Sequence, residues 1–228
     1  MNLSVLAKYS ENLEKRYESF HYVFNKLASK KNNVIVELGT SRSFVSGGIP
    51  GCMSDNIKYW DENVVENWDW GAGLFTRICA EVIDGSENIF YTVDPDEKAM
   101  RISKAITLGY AENINYRLET STDFLRNFTQ KIDLLYMDHH ETCEEGARLH
   151  LLDSQIIIDN DLLSKDALIL IDDIHLENYK SMPGILPKTS EASLTPAEHY
   201  GKGTFSIPYL QSKGFRLLFE GYQIILGR

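Results

Sequence analysis

Four apolar segments of the chain end next to acidic residues. Glu37 and a glycine close the segment VIVELG, Asp94 follows IFYTV, Asp138 follows DLLYM, and Asp172 with Asp173 follows ALILI. Short β-branched and leucine-rich runs are typical of buried parallel strands. The carboxyl ends of such strands meet at one edge of an open α/β sheet, where ligands bind. We therefore expect these acids to converge.

Three of these acids would repel one another unless a cation lay between them: Asp138, Asp172 and Asp173. A hard divalent ion takes oxygen ligands, and Mg²⁺ usually keeps positions open for water and substrate. The pattern therefore predicts a divalent metal site, with Mg²⁺ as the leading candidate. The alternative is that Asp138 caps the following helix and that one acid of the pair is solvated.

Histidines stand beside the same acids. His139 and His140 follow the segment DLLYM, and His175 follows the segment ALILI. An imidazole near a reacting hydroxyl can remove its proton, because its ordinary pKa is close to neutrality. His140 is the first candidate for a base, ahead of His139 and His175, and the alternative is that all three are surface residues. Lys202, in a Gly-Lys-Gly turn, is a weaker candidate beside the alternative of a solvated lysine.

The segments that position these residues alternate between strand and helix. The predicted strands are Val34–Leu38, Asn88–Val93, Ile114–Leu118, Ile132–Met137 and Ala167–Ile171, followed by a hairpin of Phe215–Phe219 and Tyr222–Leu226. Helical spacing predicts the helices Leu3–Lys30, Leu74–Ile83, Glu97–Leu108, Thr122–Phe128, Glu144–Leu163 and Phe205–Gln211. The alternation predicts a doubly wound α/β fold with a mostly parallel seven-stranded sheet and an antiparallel C-terminal hairpin.

The domain prediction has two parts. Residues 1–31 form an N-terminal helical cap, and residues 32–228 form the α/β domain. An insertion at about 45–73 separates the first strand from its helix and contains all three tryptophans, whose bulk argues for order. We interpret the insertion as a lid or pocket wall; an oligomer contact or a packed surface loop are the alternatives.

The composition of the chain narrows the classes of binding partner that we expect. The net charge of −10 argues against a protein that grips a phosphate backbone, and the basic runs at 14–16 and 30–31 are typical of solvated helix surface. Three widely spaced cysteines fit neither a disulfide framework nor a zinc site, which favours a cytoplasmic setting. The sequence shows no signal peptide and no membrane span. Small molecules are the expected partners, with a homo-oligomer possible.

Five motifs in order carry a resemblance to a known family. VIVELGTSRSF, YTVDPD, ETSTDFL, KIDLLYMDHHE and ALILIDDIH resemble the class I S-adenosylmethionine-dependent methyltransferases. Within that class the chain is most similar to the metal-dependent O-methyltransferases, including the macrocin and catechol types. The resemblance covers about Val34 to Arg228. It implies a Rossmann-like fold, S-adenosylmethionine and Mg²⁺ as cofactors, and a hydroxyl of a sugar, phenol or other natural product as methyl acceptor.

The resemblance also implies site residues. It places the methionine moiety of the cofactor at Glu37, Gly39, Thr40 and Ser41. It places the ribose at Asp94 and the adenine at Ser121 and Thr122, with Asp138 beside them. The family has further glycines where this chain has Ser41 and Ser43, so we predict that Gly73 replaces them in space. Asp138, Asp172 and Asp173 would hold Mg²⁺, which binds and acidifies the acceptor hydroxyl, and His140 falls near the family's base.

Two other readings remain open at this point. A nicotinamide-dependent oxidoreductase would use a similar sheet, but the first strand is not followed by G-x-G-x-x-G. A non-catalytic cofactor-binding or assembly protein of the same fold is the second. The row of acids argues against it, because clustered carboxylates are electrostatically costly to keep.

Overall fold

Seven β-strands form one sheet in the computed structural model, which describes residues 1–72, 74–174 and 200–228. The strands are β1 Val34–Leu38, β2 Ile89–Val93, β3 Ile114–Arg117, β4 Ile132–Met137, β5 Leu163–Ile171, β6 Arg216–Glu220 and β7 Ile224–Gly227. Their order across the sheet is β3-β2-β1-β4-β5-β7-β6. Neighbours among β1 to β5 pair in parallel, and β7 is antiparallel to both β5 and β6. The predicted α/β fold with its C-terminal hairpin is confirmed.

The centre of the sheet contains the point at which the strand order reverses. β1 pairs with β2 on one side and with β4 on the other, so that Glu37 lies between Thr92 and Tyr136. The chain runs outward from β1 through β2 to β3 and then returns to the opposite side at β4. In open α/β sheets this reversal opens a crevice beyond the carboxyl ends of the two central strands.

Helices cover both faces of the sheet. They are α1 Ser4–Lys8, α2 Ser10–Leu13, α3 Tyr17–Ala28, α4 Phe75–Ile83, α5 Glu97–Ile106, α6 Ser121–Asn127, α7 Glu144–Asp159 and α8 Ser206–Ser212. Alternate side chains of β4 divide between two cores, since Tyr136 packs with α3 to α5 while Leu135 packs with α6 to α8. In the part of the chain that the structure describes, no helix has the length and apolarity needed to cross a membrane.

The N-terminal cap differs from the single helix predicted for Leu3–Lys30. The cap is broken into α1, α2, a 3-10 turn at Glu14–Arg16, and α3. Glu14 has a φ of 44°, a left-handed conformation that stops a right-handed helix. The apolar periodicity continues across the break, which explains why the pattern alone predicted one helix. The break matters because Arg16 lies in the turn that it creates.

The insertion is ordered, as its aromatic content predicted. It contains 3-10 turns at Ile57–Tyr59, Val65–Asn67 and Trp70–Ala72. The buried ring of Trp68 stacks between Trp60 and Trp70, with ring centroids 4.4 and 5.5 Å away. Its indole N–H donates to the carbonyl of Asp61 at 2.8 Å. The three tryptophans therefore form a small core within the insertion.

Helix α7 is shorter than predicted and β5 is longer. The helix ends at Asp159, and a turn through Asp161, with a φ of 50°, leads into a strand that already begins at Leu163. An aspartate tolerates this left-handed conformation better than most residues. The predicted helix boundary at Leu163 was therefore wrong, because an apolar residue after a turn fits the strand as well as the helical spacing.

Candidate active site

The loop after β1 approaches the loop after β4 more closely than a side chain permits. Gly39 has a φ of 87°, and its N–H donates to the carbonyl of Val93 at 2.9 Å. A Cβ atom at this position would lie 2.8 Å from the Cα of His139. Glycine is therefore required for both the backbone conformation and the contact. This contact lies at the crevice between β1 and β4.

Glu37 supports this loop from behind. Its side chain is buried, and its Oε2 accepts hydrogen bonds from the hydroxyls of Thr76 at 2.7 Å and Thr92 at 2.5 Å. The Thr76 hydroxyl also accepts from the Ser41 N–H at 3.1 Å and lies 3.1 Å from the Thr40 hydroxyl. Burial raises the pKa of Glu37 well above its usual value, although these hydroxyls act in the opposite direction. Glu37 thus orders the loop and does not line the cleft beside it.

A cleft of about 430 Å³ opens beyond the carboxyl ends of β1, β2 and β4. Its walls include predicted cofactor and base residues from three separate loops, namely Asp94, Ser121, Thr122, His139 and His140. Ser121 and Thr122 begin α6, and Arg42 of the β1 loop closes one side. The structure thus brings together residues that the sequence places far apart. Gly73 and His175 lie outside the described residues.

Asp94 keeps acceptor capacity toward the cleft. One carboxylate oxygen accepts from the N–H of Asp96 at 2.8 Å, and the other accepts from the N–H of Thr40 at 3.2 Å. A carboxylate has about four acceptor positions, so roughly half remain available. Burial raises the pKa of Asp94, opposed by these two backbone hydrogen bonds. A half-buried carboxylate with spare acceptor positions fits the two hydroxyls of a ribose.

The two histidines after β4 have different surroundings. His139 is buried, with its Nε2 2.9 Å from Asp153 Oδ2 and its ring stacked on His150 at 4.1 Å. His140 is exposed and has a φ of 60°. Desolvation and the neighbouring His139 lower the pKa of His140, so its imidazole is neutral near pH 7. His140 is therefore the more accessible acceptor for a proton.

The three acids predicted to share a metal do converge, and we call them the acid cluster. Asp172 is completely buried at the end of β5, and the hydroxyl of Tyr136 lies 2.6 Å from its Oδ2. The same hydroxyl lies 3.0 Å from Asp138 Oδ2. Tyr222 donates its hydroxyl proton to Asp173 Oδ1 at 2.5 Å. Two tyrosines therefore join the acid cluster to β4 and to the turn of the hairpin.

Two side-chain cations lie within the acid cluster. The ammonium nitrogen of Lys202 is 2.6 Å from Asp138 Oδ1 and 2.8 Å from Asp173 Oδ2. Arg16 Nε donates to Asp172 Oδ2 at 2.9 Å. Burial would lower the pKa of Lys202, but Asp138 and Asp173 outweigh it and raise that pKa, so the ammonium stays charged. The reading of Lys202 as a solvated lysine is wrong.

The acid cluster as arranged does not fit Mg²⁺. The carboxylate oxygens that would ligate an ion are already in contact with an ammonium, a guanidinium or a tyrosine hydroxyl. Nowhere in 1–72, 74–174 and 200–228 do three or more histidine, cysteine, aspartate or glutamate side chains assemble into a group suited to a metal. The repulsion argument correctly required a cation here, but the cations are Lys202 and Arg16.

The acid cluster is not fully neutralised. Three carboxylates carry −3 and the two side-chain cations carry +2, which leaves −1 when all the acids are ionised. Burial, followed by the charge of Asp172, raises the pKa of Asp138 to about 7. Burial would also raise the pKa of Asp173, but Lys202, Tyr222 and Arg16 lower it. Of these two acids, Asp138 therefore takes up a proton first as the pH falls.

A second cavity of about 400 Å³ lies beside the acid cluster, and we call it the cap pocket. The helical cap supplies Glu11, Glu14 and Arg16 to its walls, the insertion supplies Trp70, and the hairpin supplies Tyr222. The Arg16 guanidinium lies over the Tyr222 ring, 4.9 Å from its centroid. Arg16 and Tyr222 therefore belong to both the acid cluster and the cap pocket.

The comparisons with known proteins identify the central part of the chain. Residues 70–174, from the end of the insertion to just beyond β5, match a family model described as a methyltransferase domain. This central part of the chain is therefore similar to a methyltransferase domain. No curated protein matches the chain in sequence.

Several solved structures share the fold of this chain at low sequence identity. The S-adenosylhomocysteine-bound methyltransferase PaMTH1 of Podospora anserina has a TM-score of 0.56 at 14% identity, covering 95% of this chain and 80% of its own. A putative caffeoyl-CoA O-methyltransferase of Staphylococcus aureus has a TM-score of 0.56 at 12% identity, covering 99% and 91%. A putative O-methyltransferase of Klebsiella pneumoniae has a TM-score of 0.53 at 12% identity, and the match covers 98% of this chain and 89% of the other.

Sequence reasoning missed three residues around the acid cluster. Arg16 was assigned to solvated helix surface, and Tyr136 and Tyr222 were treated only as strand residues. The tyrosines carried a weak signal, because a hydroxyl on a strand buried on both faces needs a hydrogen-bonding partner. Arg16 carried none, since its partner lies 156 positions away.

Proposed function

We propose that the protein transfers a methyl group from S-adenosylmethionine to a hydroxyl of a small molecule. The observation that carries this proposal is the cleft at the crevice of a methyltransferase domain, where Asp94 faces Ser121 and Thr122 with spare acceptor capacity. The structural neighbours support it, because one is bound to S-adenosylhomocysteine and two are described as putative O-methyltransferases. When bound, S-adenosylmethionine would supply an electrophilic methyl group.

Residues of three loops would hold the cofactor. Asp94 would accept hydrogen bonds from the ribose hydroxyls, while Ser121 and Thr122 would border the adenine. The methionine moiety would lie along the loop of Gly39, Thr40 and Ser41, whose backbone the buried hydroxyls fix in place. Asp138, at the end of β4, would border the methionine moiety on the other side. The contact of Gly73 with the cofactor remains a prediction. Glu37 would support this loop from behind through Thr76 and Thr92, and its contact with the cofactor remains a prediction.

His140 is the residue we propose as base. It borders the cleft, is accessible, and its lowered pKa keeps its nitrogen available to accept a proton at neutral pH. His139 is held beside Asp153 and His150, so we assign it a supporting role. His175 remains a prediction for the same task.

We propose that the cap pocket holds the part of the acceptor that lies away from the reacting hydroxyl, because it shares no wall residue with the cleft that His140 borders. It touches the acid cluster through Arg16 and Tyr222, and it is walled by the insertion, which agrees with our interpretation of that segment. Besides Arg16, its charged wall residues are three acids and one lysine, namely Glu11, Glu14, Glu66 and Lys15. Because Arg16 is already paired with Asp172, the unpaired charge of the wall is mainly negative. A neutral or cationic acceptor, such as a sugar or an aminosugar, suits this wall better than an anion.

The predicted Mg²⁺ is not part of this proposal. Lys202 and Arg16 contact the oxygens that would bind the ion. The proposed reaction therefore depends on positioning of the two reactants and on proton removal.

Calorimetric titration with S-adenosylhomocysteine tests the cofactor. We expect one molecule to bind per chain, and we expect Asp94→Ala to weaken binding by about 10- to 100-fold, because two hydrogen bonds to a charged acceptor are lost. Glu97→Ala is the matched control, since Glu97 is an exposed acid at the start of α5 and does not line the cleft. Absence of binding heat for the wild-type protein would contradict the proposal.

The other two readings predict different results. Tight binding of NADH in place of S-adenosylhomocysteine would support an oxidoreductase. Binding without transfer of a radiolabelled methyl group to any of a panel of phenols, hexoses and aminosugars would support a non-catalytic protein.

A further inference from the structure

Lys202 is held in the acid cluster as an ion is held by its ligands. Three oxygens surround its nitrogen, namely Asp138 Oδ1 at 2.6 Å, the Asp138 carbonyl at 3.0 Å and Asp173 Oδ2 at 2.8 Å. An ammonium has three N–H groups, so all of its donors are used. The side chain is 4% exposed. Lys202 therefore has no donor left for a substrate and acts only on these acids.

The backbone around Lys202 is built to deliver it there. The Thr204 N–H donates to the Gly201 carbonyl at 3.1 Å, and the Thr204 hydroxyl donates to the same oxygen at 2.7 Å. A Cβ atom on Gly203 would lie 2.6 Å from Ile174 Cδ1, so the turn packs tightly on the residue that follows the acids. These contacts fix the direction from which the lysine enters the acid cluster.

The charges of the acid cluster equal those of a metal site. Lys202 and Arg16 together supply +2, the charge of one divalent cation, to three carboxylates. The hydroxyls of Tyr136 and Tyr222 lie on the carboxylate oxygens at 2.5 to 3.0 Å, where the waters of a hydrated ion would donate. The residues predicted to need a metal are thus satisfied by the chain itself.

We propose that Lys202 and Arg16 replace the divalent cation of this site, so that the protein maintains its acid cluster and transfers methyl groups without a metal ion. The metal independence of methyl transfer rests on the proposed function, whereas the replacement of the ion does not. Lys202 is a positioning residue, because it contacts the acids and not the reactants. Removing its ammonium should expose oxygens of Asp138 and Asp173 and convert the acid cluster into a metal site.

Manganese titration tests the replacement directly, with electron paramagnetic resonance counting the free ion. We expect the EDTA-treated wild-type protein to bind no Mn²⁺ in the acid cluster, and Lys202→Ala to bind one ion per chain. At ten times its dissociation constant, the ion should raise the melting temperature of Lys202→Ala by about 3–6 °C. Lys202→Arg keeps the charge and should behave as the wild type. Lys202→Ala/Asp173→Asn, which lacks a ligand, should lose the gained ion.

Two results would overturn the proposal. One is a wild-type protein that binds one Mn²⁺ ion which Asp173→Asn removes. The other is a folded Lys202→Ala protein that binds none. If Lys202→Ala does not fold, the wild-type titration still decides. Binding of Mn²⁺ in the wild-type acid cluster contradicts the proposal. No Mn²⁺ binding by either the wild-type protein or Lys202→Arg supports it.

The metal independence of methyl transfer has its own test. Once an acceptor is found in the radiolabel panel, EDTA should leave the wild-type rate unchanged within twofold, and Mg²⁺ should not raise it. A rate that EDTA abolishes and Mg²⁺ restores would show that methyl transfer needs the metal and would overturn this part of the proposal. S-adenosylhomocysteine binding, measured separately with and without EDTA, reports on the proposed function, so that the failure of one proposal is distinguishable from the failure of the other.

Discussion

Arg16 Nε donates a 2.9 Å hydrogen bond to Asp172 Oδ2 and so joins the N-terminal helical cap to the end of β5. Asp172 is completely buried, and no other side-chain cation among the described residues contacts its carboxylate. Arg16 makes this contact from the 3-10 turn Glu14–Arg16, which begins at the helix break. The cap is thus tied to the site by charge as well as by apolar packing.

Arg16→Met should therefore destabilise the protein strongly. Removal of one partner leaves a buried carboxylate without its cation, which costs about 3 kcal/mol. Urea unfolding measures the loss. Lys15→Met is the matched control, because Lys15 is exposed and only lies over the Tyr222 ring, 5.2 Å from its centroid, so its loss should cost less than about 1 kcal/mol. Equal effects of the two substitutions would show that the Arg16–Asp172 contact contributes nothing specific.

The raised pKa of Asp138 predicts a pH dependence of stability. Its folded-state pKa is about 7 and its usual value is near 4, so between these values the folded protein holds a proton that the unfolded chain has lost. Stability from this group is therefore lost as the pH rises toward 7 and is constant above about 8. Asp138→Asn cannot titrate and should lack this component.

Melting temperatures at pH 5 and pH 8 measure this difference. The wild-type protein should lose roughly 2 kcal/mol more than Asp138→Asn over this interval, or about 4–8 °C. Asp161→Asn serves as control, because Lys131 lowers the pKa of the exposed Asp161 carboxyl. Asp161 is thus ionised at both pH values, and its substitution should leave the slope unchanged. A slope for Asp138→Asn as steep as that of the wild type would rule out Asp138 as the source.

The sheet and the residues at its edge could be predicted because the determining information is local. Each strand is a short apolar run, and Asp94, Asp138 and Asp172 each follow their own run directly. Topological rules for parallel sheets then bring those ends to one edge without any knowledge of packing. This reasoning also gave the correct requirement for positive charge among Asp138, Asp172 and Asp173.

The source of that charge could not be predicted, because it depends on distant segments. A lysine in a Gly-Lys-Gly turn and an arginine on a polar helix face have the same local pattern whether solvated or buried in an ion pair. Lys202 lies 64 positions from Asp138, and the helix break that directs Arg16 leaves the apolar periodicity intact. The support that Glu37 gives to the loop after β1 could not be predicted for a related reason, since its hydrogen bonds come from β2 and α4.

Arg77 anchors the insertion to α4, and its loss should release the tryptophans. The buried guanidinium lies over the Tyr110 ring, 4.5 Å from its centroid, and over the Trp68 ring at 5.5 Å, and it donates to the Ile106 carbonyl at 2.7 Å. Arg77→Met would leave this carbonyl unpaired and weaken the aromatic packing, at a cost of about 2–4 kcal/mol. Because all three tryptophans lie in the insertion, their fluorescence emission should shift to longer wavelength.

Arg101→Met provides the control for this experiment. Arg101 also tethers the insertion, through a 2.7 Å ion pair with Asp55, but both side chains are exposed. Exposed pairs contribute less than about 1 kcal/mol, so this variant should keep the wild-type emission and stability. If Arg77→Met also keeps the wild-type emission, the insertion is held by its own tryptophan core and not by the guanidinium.

Gly39→Ala should damage the cleft more than the conformation of one residue explains. An alanine at a φ of 87° costs about 1–2 kcal/mol in itself. Its Cβ would in addition meet the backbone of His139 at 2.8 Å, so the loop after β4 must move. Gly214→Ala is the matched control, because Gly214 has a φ of 90° and no atom within 4 Å of its added Cβ. Urea unfolding should show a larger loss for Gly39→Ala, and calorimetry should show weakened S-adenosylhomocysteine binding for that variant alone. Unchanged binding by Gly39→Ala would mean that the contact between the two loops does not shape the cofactor cleft.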